Sequence, residues 1–322
     1  MFFFIVIIIL FLPILIKYFW ACMPLNHPKA YFLKEFLQIH NFSNGGLLSW
    51  PIMDGTLLTA GIMGILPRFR YIIITDSLMN LLTIDELESV LAHEMAHTKY
   101  FHIIIYSLFL MVFIVILYFL ADLIIYGSLF LPIVSDLIFT KQPLTSISVL
   151  EISVSACFLI MLIIYISYIM GFFMRNFKRQ ADQYASSLIG SVGPIINTLE
   201  KIGFHSDKIR YLPNWHHFSI RERVDYLKKI ENNSNIIRHH NKCIKISLTL
   251  YILCAGIVIS ASQHYSLAFV SNIFFAEKFI KTSISEQPDN AALHRLLAMM
   301  YHESCFFNQR SNRHEHSQCR IL

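Results

Sequence analysis

His93, Glu94 and His97 occur in the order His-Glu-Met-Ala-His. Residues four apart share one face of a helix, so both imidazoles can aim a nitrogen at a single ion about 2 Å away. A Zn²⁺ held in this way lowers the pKa of a bound water. A carboxylate beside the pair can then take that water's proton and hand it to a leaving amine. The HExxH pattern therefore points to metal-assisted hydrolysis of a peptide bond, with His93 and His97 as ligands and Glu94 as general base. Five residues in this order also arise by chance, so the weight of the reading lies in what positions them.

Thr83-Ile84-Asp85-Glu86 has the spacing of a capping box, in which hydroxyl and carboxylate satisfy each other's free backbone amides. A helix is expected to start there, and Leu87, Val90, Leu91 and Met95 give it an apolar side. No glycine or proline interrupts the sequence between this helix and the apolar run from Ile103, so a single continuous helix is expected. Upstream, 57–66 and 71–75 read as short strands separated by a Pro67-Arg68 turn. A strand edge beside the HExxH helix, carrying Thr59 and Ala60, would hold an extended polypeptide by strand addition.

The surroundings are membranous. Of the 322 residues, 55% are hydrophobic and 15% charged, a balance foreign to an ordinary soluble domain. Three runs without charge, 103–120, 152–174 and 246–263, reach the roughly 18 to 20 residues needed to cross a bilayer. The N-terminal run 2–16, followed by Tyr18, Phe19 and Trp20, reads as a retained anchor. Basic residues gather in 175–245, which by the positive-inside tendency is cytoplasmic together with 21–102. Six scattered cysteines form neither a disulfide framework nor a CxxC site. The modest net charge of +5 does not call for nucleic acid. Membrane lipid and a polypeptide substrate are the expected partners, and the oligomeric state is not legible.

Three stretches together resemble one family. They are Pro67 to Asp76 (PRFRYIIITD), Asp85-Glu86-Leu87 leading into Leu91 to His97, and Arg175 to Ala185 (RNFKRQADQYA). Over about 25–230 the chain is similar to the integral-membrane gluzincins that include the CAAX prenyl protease and the heat-shock protease HtpX. The resemblance implies a third zinc ligand, a glutamate four residues before the Asp of the Gln-Ala-Asp element. Lys178 occupies that position. Asp182 would orient a ligand histidine and is the nearest substitute ligand. His217 would help stabilise the oxyanion, with Arg223 as its structural partner. Thr59 stands where the family has an asparagine that contacts the substrate backbone.

The expected molecule is a mainly α membrane protein with three or four transmembrane helices, a gluzincin-like zinc helix and a small β element. Residues 1–20 would be the anchor and 21–245 the metallopeptidase domain with a transmembrane hairpin at 103–174. Residues 246–274 would form a last transmembrane helix, and 275–322 a helical tail like part of a tetratricopeptide repeat. The expected activity is that of a zinc metalloendopeptidase acting on membrane-associated or misfolded polypeptides. The alternative is a silent relative that binds membrane-protein segments, because an ammonium at Lys178 repels Zn²⁺ and binds it only after deprotonation.

Overall fold

The computed structural model describes residues 2–129, 143–205, 215, 218–233, 235–264, 277, 280–281, 284–285 and 288–311. The chain divides into two compact units, one of residues 1–113 and 163–252, the other of 114–162 and 253–322. The first unit carries the HExxH helix.

In that unit, helix α1 (Phe2–Phe19) is followed by strand β1 (Met23–Pro24), helix α2 (Ala30–Ile39) and strand β2 (Gly46–Ser49). Strands β3 (Ala60–Met63) and β4 (Tyr71–Ile74) are joined through a 3₁₀ turn at Pro67–Phe69. The sheet order is β1-β2-β4-β3, with β2 and β4 parallel and the two outer pairs antiparallel. β3 is therefore an edge strand, as expected, although shorter than the apolar run 57–66 that announced it. The pleat sends Leu47, Ile72 and Ile74 into the main core, and Leu48 and Ile73 to a smaller cluster with Cys22 and Trp50.

Helices α3 (Asp76–Leu81) and α4 (Ile84–Lys99) follow the sheet. The capping box forms as its spacing predicts: the Glu86 amide donates to Thr83 Oγ1, and the Thr83 amide donates to Glu86 Oε2 at 2.8 Å. Such a cap stabilises a helix by about 1 kcal/mol. Leu87, Leu91 and Met95 anchor one side of α4 in the core with Leu33, Leu78, Leu199 and Leu227, which leaves the histidines on another side.

The helix expected to run unbroken into the first apolar span is in fact two. α4 ends at Lys99, Phe101 takes a left-handed backbone with φ 57°, and α5 begins at His102 and runs to Leu129. No glycine or proline marks this joint, which is why the sequence does not announce it.

Helix α6 (Pro143–Ile164) passes through a π-helical turn, Tyr165–Met170, into α7 (Gly171–Ile189), which ends on Gly190 in the left-handed conformation that suits glycine. α7 packs along α4. Next come α8 (Gly193–Phe204), α9 (Ile220–Asn232), capped by a Ser219 and Glu222 box, and α10 (Asn235–His264). The tail helix α11, Ala291–Ser311, is longer than its apolar pattern suggested.

Among the described residues three helices are long and apolar enough to cross a membrane: His102–Ala121, Glu151–Ile189 and Asn235–Ser260. The second has 39 residues, about 58 Å of helix, roughly twice the thickness of the hydrocarbon core. Its charge-free part, 152–174, is by itself long enough to cross. Residues 265–274, assigned from sequence to the last span, lie outside the described residues.

Candidate metal centre and catalytic cleft

The helical face that carries His93 and His97 brings their Nε2 atoms within 3.4 Å of each other. Two nitrogens each about 2.0 to 2.1 Å from one tetrahedral ion lie about 3.3 to 3.4 Å apart. The pair is therefore spaced as two ligands of a single Zn²⁺.

Each imidazole is gripped from behind. His93 Nδ1 lies 2.8 Å from Asp182 Oδ1, and Arg223 clamps the same carboxylate with Nε to Oδ2 at 2.9 Å and Nη2 to Oδ1 at 2.7 Å. Asp182 is 1% exposed. Burial alone would raise its pKa, but the Arg223 charge and the His93 hydrogen bond hold it well below the usual carboxylate range. With both oxygens engaged, Asp182 faces the back of His93. His97 Nδ1 lies 3.0 Å from His102 Nδ1, and His102 is fully buried with its ring stacked on Phe177 at 4.3 Å.

Burial, the largest cause, pushes the His97 pKa well below its ordinary value, and the nearby cation Lys178 acts in the same direction. It is thus a neutral imidazole, the form that binds metal. The Glu94 carboxyl is raised by burial, against the pull of His93, Lys178, an amide hydrogen bond from Ile62 and Arg223. A raised carboxylate is the more basic one, which suits a proton acceptor working near neutrality. The Ile62 donor belongs to β3, so the edge strand and the HExxH helix meet at this carboxylate.

His93 and Glu94 open into a cleft of about 1150 Å³, whose walls include Thr59, Ala60, Val90, Ile195, Leu199, Phe218 and Arg223. Thr59 and Ala60 both line the cleft, Ala60 as the first residue of β3 and Thr59 just before it. The Thr59 carbonyl accepts from the Thr75 amide and hydroxyl, each at 3.1 Å. His217 lies outside the described residues; its neighbour Phe218 lines the cleft.

Residues 54–231, more than half of the chain, match the sequence profile of Peptidase family M48. The chain belongs to that family. No curated protein matches it. Among solved structures, the crystal structure of S. mikatae Ste24p aligns with a TM-score of 0.51 at 18% identity, over 69% of this chain and 55% of that one. The chain thus spans about half the length of that solved relative, and at this identity the likeness is one of fold.

In this M48 chain the histidine pair fits a metal, whereas the third position departs from a carboxylate. Among the described residues no group of three His, Cys, Asp or Glu side chains is arranged to hold an ion. Lys178, one turn before Asp182 on α7, accounts for this. Burial foremost, then the Arg223 charge, lowers the Lys178 pKa to about 7, against Glu94 and Asp182, which raise it. Lysine donates to a metal only as the neutral amine, and burial pushes Lys178 toward that form.

Sequence reasoning missed His102, Gln180 as more than part of a motif, and Asn241. The available signal for His102 was a lone polar residue opening an apolar run, one that the structure buries completely.

Proposed function

We propose that the chain is a membrane-bound, zinc-dependent metalloendopeptidase that cleaves membrane-associated or misfolded polypeptides near the cytoplasmic face. The observation that carries this reading is the 3.4 Å approach of His93 Nε2 and His97 Nε2 beside Glu94. His93 and His97 would hold the ion, with the neutral amine of Lys178 in the third position. A Zn²⁺ held there would supply Lewis acidity to a water and to the scissile carbonyl. Glu94 takes the proton of the attacking water and passes it to the leaving amine. Asp182 and Arg223 fix the His93 ring, and the β3 edge at Ala60, with Thr59 just before it, aligns the peptide backbone as an added strand. His217 is assigned to the oxyanion. Helix α1 serves as the N-terminal anchor, 21–245 as the peptidase domain, 246–274 as the last crossing, and 275–322 as a helical tail resembling part of a tetratricopeptide repeat.

Lys178 favours a second reading, a pseudoprotease that keeps the fold and binds membrane-protein segments without cutting them. Zinc stoichiometry of the detergent-purified chain separates the two, measured beside Lys178→Glu with His93→Ala as the blank. About one zinc per natural chain, held as tightly as by Lys178→Glu, upholds the protease. Retention only by Lys178→Glu, with an affinity gain of roughly a hundredfold or more, upholds the pseudoprotease.

A further inference from the structure

We infer that His102, Gln180 and Asn241 are positioning residues: they form a one-way hydrogen-bond chain that keeps His97 Nε2 free of a proton and aimed at the metal position. The Gln180 amide nitrogen donates to Asn241 Oδ1 at 2.8 Å. Its carbonyl Oε1 consequently faces His102 Nε2, 3.0 Å away. A carbonyl oxygen only accepts, so His102 carries its proton on Nε2. His102 is fully buried, and its hydrogen-bond partners, His97 and Gln180, are uncharged, conditions under which a second proton on its ring would be costly. Its Nδ1 is then bare and accepts from His97 Nδ1 at 3.0 Å. With the His97 proton on Nδ1, the nitrogen that faces His93 across 3.4 Å is the bare one.

The direction of the chain follows the amide orientations of Gln180 and Asn241. Were the Asn241 amide reversed, every donor along the chain would become an acceptor, and His97 Nε2 would carry a proton where an ion has to bind. The chain spans four helices, from α4 and the first residue of α5, through α7, to α10, so distant segments decide the tautomer of one ligand. The joint at Phe101 makes it possible by turning His102 back onto His97.

The consequence for metal affinity rests on the protease reading; the proton assignment does not. Long-range ¹H–¹⁵N NMR of the metal-free, detergent-solubilised full chain, labelled at histidine, is expected to place the His97 proton on Nδ1. A proton on Nε2 would overturn the inference. Zinc competition with a chelating dye then compares two replacements of His102. His102→Asn keeps an acceptor where Nδ1 stood and should stay within about threefold of the natural chain. His102→Phe keeps the ring on Phe177 but removes the acceptor and should lose about 10- to 100-fold in affinity. If His102 only packs, the order reverses and the inference falls. If the natural chain binds no zinc, the protease reading fails by itself. The dye comparison then moves to the Lys178→Glu background, and the tautomer measurement still decides.

Discussion

Behind His93 stands an ion pair, Asp182 with Arg223, whereas behind His97 stands a row of neutral groups, His102, Gln180 and Asn241. Both arms grip an imidazole through Nδ1, and they differ in where they sit. The charged arm reaches the polar helix α9. The neutral arm starts at the first residue of α5, where the apolar span begins. A bare carboxylate near hydrocarbon carries a heavy desolvation cost that amides and imidazoles avoid. The contrast teaches that one task, fixing a ligand's tautomer, is met by charge where the chain is polar and by bond direction where it is not.

The largest expected effect comes from breaking the charged arm. Arg223→Ala leaves the Asp182 carboxylate buried without its cation and should cost about 3–5 kcal/mol of stability, read as a fall in the thermal midpoint in detergent. Asn241→Leu, which breaks the neutral arm at its end, should cost only about 1 kcal/mol. Equal losses in the two variants would refute the distinction between the arms.

Asp182→Asn keeps a hydrogen-bonding group behind His93 but removes the charge. Zinc affinity should drop about 10- to 100-fold while the fold survives, as dye competition and circular dichroism together would reveal. An unchanged affinity would mean that the carboxylate serves the fold alone.

The smallest effect should come from the far end of α4, away from both arms. There Lys201 Nζ meets Glu86 Oε2 at 2.7 Å. Burial raises the Glu86 carboxyl, but the Lys201 and Thr83 interactions outweigh it and hold its pKa below the ordinary value. The stability it adds is therefore fully present above the unfolded carboxylate value of about 4.3 and is lost as pH falls through the lower folded value. Glu86→Gln should be less stable by about 1 kcal/mol at neutral pH, and the two unfolding curves should converge in acid. A gap that persists in acid would remove the electrostatic account.

Features set within a few residues could be read from the sequence. The Thr83 and Glu86 cap, the His93 and His97 face and the edge strand around Ala60 all depend on local spacing, and all three are present. The place of Asp182 came from its likeness to a family element; the clamp of Arg223 on Asp182 was not legible, because the sequence reading paired Arg223 with His217. The neutral arm escaped because its contacts span 78 residues from His102 to Gln180 and 61 from Gln180 to Asn241, distances over which no spacing rule operates. The joint after Lys99 escaped because a phenylalanine, not a glycine, adopts the left-handed backbone there.

That joint also has a mechanical side. A single rod from residue 84 through the apolar span would act as a lever, carrying each tilt of the span straight into the rings of His93 and His97. Phe101 interrupts the lever with a pivot, and a bulky residue in this conformation stores on the order of 1–2 kcal/mol of backbone strain. Phe101→Gly should relieve the strain and loosen the pivot together, giving a more stable chain whose His97 ring resonances broaden. A strained joint at Phe101 thus separates the helix of the two histidines from the apolar helix that follows it.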